Sequence, residues 1–142
     1  MQDSWNLGRF VDAQAPVYET ALAELRAGRK RTHWMWFVFP QIAGLGHSPM
    51  AQHYAISGLE EAKAYLAHPL LGLRLKQCTD TVNAHAGRSA HEIFGALDDM
   101  KFRSCLTLFA HAAPEDTRFR DTLLQFYPGD DPATLDRLSI AL

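Results

Sequence analysis

The 142-residue chain is 47% hydrophobic and 21% charged, which suffices to bury one core but not two, so residues 1–142 are read as a single soluble domain. Lys plus Arg number 14 and Asp plus Glu 16, a formal net charge of -2. This balance excludes a chain-wide pull toward nucleic acid or an anionic membrane, and no apolar run reaches the length of a membrane span.

At the amino end, the stretch from Met1 to Asn6 lacks a basic region followed by an apolar one, so a cytoplasmic protein is expected. Cys78 and Cys105 have no CxxC spacing and are expected as reduced, packed thiols. Leu7, Phe10 and Val11 predict a short helical turn. Pro16 in a first turn, Val17, Ala21, Leu22 and Leu25 at helical spacing, and Gly28 as a left-handed stop predict the next helix. The run from Thr32 to Gln41 is almost wholly apolar and holds Trp34, Trp36, Phe37 and Phe39; its periodicity suits buried helix or strand equally, and we read a short helix ended by Pro40. Gly44-Leu45-Gly46 reads as a tight turn. Ser48-Pro49 is a cap followed by proline, and Ser57-Gly58-Leu59-Glu60 reads as a capping box before Ala62, Tyr65 and Leu66.

A longer helix is predicted from near Pro69 to near Gly87, and a second capping box, Ser89-Ala90-His91-Glu92, opens a short helix interrupted by Gly95. Met100, Phe102, Cys105, Leu106 and Phe109 mark an amphipathic helix with Asp98 and Asp99 at its positive end. Phe119 to Phe126 form another, and a last turn begins at Asp131-Pro132. Alternating strands joined by hairpin turns are not evident, so the expected architecture is all-α, a compact single domain of seven or eight short helices.

Two constellations carry candidate chemistry. The aromatic run is the floor of a ligand pocket, the central core element, or both at once, with Gln41 placed to hold a loop or a planar ligand. Just before it, Arg26, Arg29, Lys30 and Arg31 suit either a phosphate or a solvated helix end. The second constellation is Asp98 to Ser104. Asp98 and Lys101 form either an exposed pair three residues apart, or Lys101 leans toward the aromatic run and joins Ser104 in an anion or ribose site. The seven histidines make no HExxH and no zinc-ligand spacing, so no metal is expected; no GxSxG, P-loop or dinucleotide fingerprint is present, and no cofactor is expected.

Several of these strings together are distinctive. Arg9-Phe10-Val11-Asp12-Ala13-Gln14, the block from Lys30 through Trp34 and Trp36 to Gln41, Gly44-Leu45-Gly46, Tyr65-Leu66-Ala67-His68-Pro69, and Asp98 with Lys101-Phe102-Arg103-Ser104 resemble a widespread bacterial and fungal domain family of unknown function that is often mislabelled calpastatin. The resemblance covers nearly the whole chain and implies a mainly helical domain without a settled activity. Calpastatin itself is disordered and repetitive, unlike this aromatic, capped sequence. A fainter similarity, through an aromatic segment, an alanine-rich helix and Lys101-Phe102, is to the NADAR group acting on ADP-ribose-linked or phosphoribosyl substrates. The Glu-His-x-x-Gln type string of that group is missing, so no catalytic residue is carried over.

Two functions follow as expectations, and whether the chain is an enzyme stays open between them. In the first, a nucleotide-derived small molecule is bound or its N-glycosidic linkage hydrolysed: Trp34 or Trp36 stacks a base, Lys101 or Arg103 holds phosphate, and Asp98 or Asp99 steadies a ribosyl cation or activates water. His33, Gln41 and Ser104 complete that pocket. In the second, a non-catalytic module binds a ligand or protein partner through the aromatic run and the adjacent basic cluster. Direct nucleic-acid binding is not expected, because the chain as a whole is acidic.

Overall fold

The computed structural model describes residues 3–139. In chain order the helices are α1 (Gly8–Gln14), α2 (Tyr18–Arg26), α3 (Met35–Val38), α4 (Pro49–His53), α5 (Leu59–Ala67), α6 (Leu71–Asn83), α7 (Ala90–Phe94), α8 (Asp98–Ala112), α9 (Arg118–Phe126) and α10 (Pro132–Arg137). Among the described residues ten helices stand where seven or eight were expected, because segments read only as turns or caps, those of α1, α4 and α10, also close as helices. The all-α class holds: the described residues contain no strand, only an isolated bridge between Ile42 and Ile56.

Local chemistry sets most of the helix ends. Ser48 Oγ accepts from the Ala51 amide at 3.1 Å, and Pro49 follows at the first helical position, where its missing N–H costs nothing. Ser89 and Glu92 form the expected reciprocal capping box, with bonds of 3.1 and 2.9 Å. Gly28 and Gly95 take φ of 76° and 79°, the left-handed conformation that ends their helices at little cost to glycine. Two expectations shift. Pro16 lies before α2 rather than in its first turn, with Val17 at the cap. The Ser57 box does not form, because Gly58 is the cap residue and the Ser57 amide donates instead to Glu61 at 2.9 Å. Glu61 is buried, and Arg9 of α1 pairs with it at 2.8 Å, so its carboxylate is drawn into a tertiary link.

Helix α8 is the axis of the molecule. Phe102, Cys105, Leu106, Leu108 and Phe109 make one broad apolar face, and Ser104, Thr107 and Ala110 on the remaining sides are buried too, as suits a helix surrounded by others. It packs against α5, α7, α9 and α10. Phe39, at the end of the aromatic run, meets Phe102 of α8 edge-on at 4.8 Å between ring centroids, and Phe94 meets Phe102 at 4.6 Å. Each such ring stabilises the fold by roughly 1.5–3 kcal/mol through burial alone. Beneath them Gln14 Nε2 donates to the Phe37 carbonyl at 2.6 Å and lies 3.1 Å from the Tyr65 hydroxyl, which satisfies a carbonyl that a four-residue helix leaves unpaired. At the α5–α6 corner the chain is tight enough that a Cβ on Gly72 would lie 2.1 Å from the Leu66 carbonyl oxygen.

Candidate functional site

The aromatic run divides at its two tryptophans. Trp34 is fully buried, and its Nε1 donates to Glu24 of α2 at 3.0 Å. The same carboxylate accepts from the Arg31 and Thr32 amides and from Thr32 Oγ1, at 2.7, 3.0 and 2.7 Å. Burial by itself would raise the Glu24 pKa; these four donors outweigh it and hold the group down at about 2. Trp34 is therefore a clasp between α2 and the start of α3, with no face left for a ligand, and its expected stacking role is corrected accordingly.

Trp36 lies on the other side of the short helix and is only partly buried. It lines a cleft of about 430 Å³ with Gln41, Lys101 and Ser104, all of them expected site residues. The ammonium of Lys101 sits over the Trp36 ring, 5.0 Å from its centroid. Gln41, Leu45, Gly46, His47 and Ser48 of the loop before α4 form one wall, and Asp131 and Ala133 at the start of α10 form another. The loop is closely fitted. A Cβ on Gly46 would lie 2.6 Å from that of Ala51, while Gly44, with φ of 96°, yields its carbonyl to Arg137 at 3.2 Å.

Ser104 and Asp131 meet within the cleft at 3.1 Å. Oδ2 of Asp131 also caps α10 through the Thr134 amide and hydroxyl, at 3.0 and 2.6 Å. Among the described residues its Oδ1 has no hydrogen-bond donor. The cleft thus combines a flat aromatic face, a fixed cation, two hydroxyls, a carboxamide and a carboxylate oxygen open to a further donor. That set can grip a ring, an anionic group and a polyol in one molecule.

The remaining expected residues go elsewhere. His33 is exposed and does not line the cleft. Arg103 turns to the loop before α10, donating to the Gly129 and Asp130 carbonyls at 2.9 Å each, so it braces backbone instead of reaching a phosphate. Asp98 stands behind the cleft between Lys30 at 2.8 Å and Lys101 at 3.1 Å; burial works to raise its pKa, but the two ammonium groups prevail and keep it lowered. Asp99 receives the Met100 amide, faces His91 at 3.4 Å and lends its carbonyl to the Tyr127 hydroxyl. Neither aspartate is among the cleft residues, so the catalytic roles expected of them find no geometry. Conversely, His47, Ser48 and Asp131 line the cleft without having been among the expected site residues. That a last turn begins at Asp131-Pro132 was readable, but the meeting of Asp131 with Ser104 was not.

The basic cluster gains a member. Arg88 lies over Gly28, its Cδ 3.2 Å from where a Cβ would be. It shares a hollow with Arg29, Lys30 and His91. Among the described residues no group of three or more His, Cys, Asp or Glu stands together as a metal site would require, and no helix is long and apolar enough to cross a membrane.

Fold and cleft define a small all-helical domain whose polar groups meet at one end of its central helix. The chain belongs to the family described as protein of unknown function (DUF1810), whose signature matches residues 4–138. It is similar to the conserved hypothetical protein Rv1873 from Mycobacterium tuberculosis, solved by crystallography at 1.38 Å: identity is 55%, the match covers 98% of this chain and 100% of that one, and the TM-score is 0.95. None of the curated proteins matches the chain.

Proposed function

We propose that the cleft binds a nucleotide-derived small molecule of the ADP-ribosyl or phosphoribosyl class. The observation that carries this reading is the placement of Lys101 over Trp36 beside the Ser104–Asp131 pair, a cation and a ring face within one cleft that also offers acceptors for sugar hydroxyls. The faint similarity to the NADAR group supports the same ligand class. Binding is better supported than hydrolysis. A glycosidic bond needs a carboxylate at the reacting carbon, and Asp131 is the carboxylate lining the cleft, with one oxygen already committed to three bonds. The buried free thiols of Cys78 and Cys105 fit a reducing, cytoplasmic setting.

A thermal-shift screen with ADP-ribose, nucleoside diphosphates and ribose 5-phosphate tests this, since a ligand bound by the native state raises its melting temperature by mass action. A rise of several degrees that disappears in Lys101→Ala is expected; no rise with any compound rejects the reading.

The second reading, a protein- or ligand-binding module, draws on the surface where Arg88 joins Arg29 and Lys30. Arg26, Arg29, Arg31 and Arg88 are exposed and have no carboxylate partner among the described residues. An acidic partner held there would be released by moderate salt, whereas the cleft ligand, partly shielded from solvent, would be much less affected.

A further inference from the structure

Leu97, at the mouth of the cleft, holds a backbone conformation that leucine rarely adopts. Its φ is 74° and ψ -55°, and across it the Asp98 amide donates to the Ala96 carbonyl at 3.0 Å. This is the γ-turn of the rare, strained kind, unfavourable for a branched side chain. The core gains nothing in exchange, because the side chain is 70% exposed. Two residues earlier the same loop uses glycine, Gly95, for a positive φ, at a position where a Cβ would meet nothing within 4 Å. Glycine thus stands where the backbone alone is at stake, and leucine stands where a side chain lines the cleft.

The turn is held from both sides. The Gly95 amide bonds to the His91 carbonyl at 2.7 Å, the Asp99 amide to Gly95 at 3.2 Å and the Lys101 amide to Leu97 at 3.1 Å. The Asp98 side chain is pinned between Lys30 and Lys101. Met100, three residues on and therefore on the same side of the helix start, is 66% exposed and also lines the cleft. Two large apolar side chains stand open to water beside Trp36, and covering them would be favourable.

We infer that Leu97 and Met100 act as an apolar clamp that holds a planar ring against the exposed part of Trp36, beside the Lys101 ammonium that sits over the indole, so that the cleft selects molecules carrying both a flat heteroaromatic ring and, toward Lys101, an anionic group. This rests on the proposed function and narrows it: ring-bearing nucleotides and ADP-ribose are favoured over ringless sugar phosphates, and the strained turn is what aims the clamp.

The test compares the unaltered protein with Leu97→Ala and Leu97→Gly, both at an exposed position where folding is not at risk. Without ligand, Leu97→Gly should melt a few degrees above Leu97→Ala, because only glycine relieves the positive φ; equal or reversed melting points overturn the strain argument. With ligand, titration followed by tryptophan fluorescence in a Trp5→Phe background should show both variants binding ADP-ribose at least tenfold more weakly while ribose 5-phosphate binds as before. Unchanged ADP-ribose affinity in Leu97→Ala overturns the clamp and leaves the proposed function standing. Absence of ADP-ribose and nucleotide binding by the unaltered protein removes both.

Discussion

Lys101 places its ammonium 5.0 Å from the centroid of the Trp36 ring and, in the same posture, 3.1 Å from Asp98. The ammonium therefore bridges the ring in the cleft and a carboxylate outside its lining, and the side chain is 28% exposed. Replacing it by methionine keeps the aliphatic stem but removes the charge. Lys101→Met should cost about 1–2 kcal/mol of stability, between the values for an exposed and a desolvated cation over a ring, and should shift the emission of Trp36. Chemical denaturation followed by fluorescence measures both, and a spectrum identical to that of the unaltered protein would contradict the stacked geometry.

Glu24 makes stability depend on acid. Its pKa is about 2 against an ordinary 4.5, so the folded state favours the ionised form. The stabilisation is complete above pH 4.5 and is lost as pH falls from there toward 2. The size is on the order of 3 kcal/mol, from the separation of the two values. Glu24→Gln retains a carbonyl acceptor but has an amide where Glu24 Oε1 or Oε2 accepts, so it should be less stable at neutral pH and show a flatter profile in this window. Urea melts between pH 2 and 6 read the difference; parallel profiles for the two proteins would mean the four-donor cage does not act as described.

Gly72 is a steric requirement rather than a conformational one. A Cβ there would lie 2.1 Å from the Leu66 carbonyl oxygen, which is backbone and cannot rotate away. Gly72→Ala must force α5 and α6 apart at their corner, with an expected loss of about 2–3 kcal/mol, as for overpacked cores. Gly87→Ala, where nothing lies within 4 Å, serves as the comparison and should change stability by well under about 1 kcal/mol. Equal melting temperatures for the two variants would refute the close approach.

Arg103 controls Asp131 at a distance. By bonding the Gly129 and Asp130 carbonyls at 2.9 Å, it fixes the loop that delivers Asp131 to Ser104. Arg103→Ala leaves two partly buried carbonyls without a charged donor, at about 1.5–3 kcal/mol each at most. Amide exchange should quicken at Asp131 and Thr134 while the centre of α8 stays protected. Exchange that quickens evenly across the chain would instead indicate a general loss of stability.

Much of this architecture was legible before any coordinates. Ser48 and Ser89 cap the helices they were expected to cap, the last turn begins at Asp131-Pro132 as read, and Gly28 and Gly95 stop their helices, because these signals act within a few residues of themselves. The Ser57 box failed for an equally physical reason: Glu61, one residue beyond the expected partner, accepts the Ser57 amide while it pairs with Arg9, a residue far away in sequence. Of the candidate site, Trp36, Gln41, Lys101 and Ser104 reached one cleft. Trp34 and Trp36 could not be told apart in advance, since residues two apart on a helix point roughly 200° from each other and only a neighbour decides which side is inward.

The amino-acid order by itself determined the helical class, the helix ends and the richness of the core, because periodicity, caps and apolar content are properties of short stretches. Tertiary packing alone decided that Glu24 would claim Trp34, that Arg103 would brace backbone, and that Asp131 would meet Ser104 across a cleft. Those outcomes depend on the rotation of one helix against another, and a side chain's reach is set by that rotation rather than by its place in the chain.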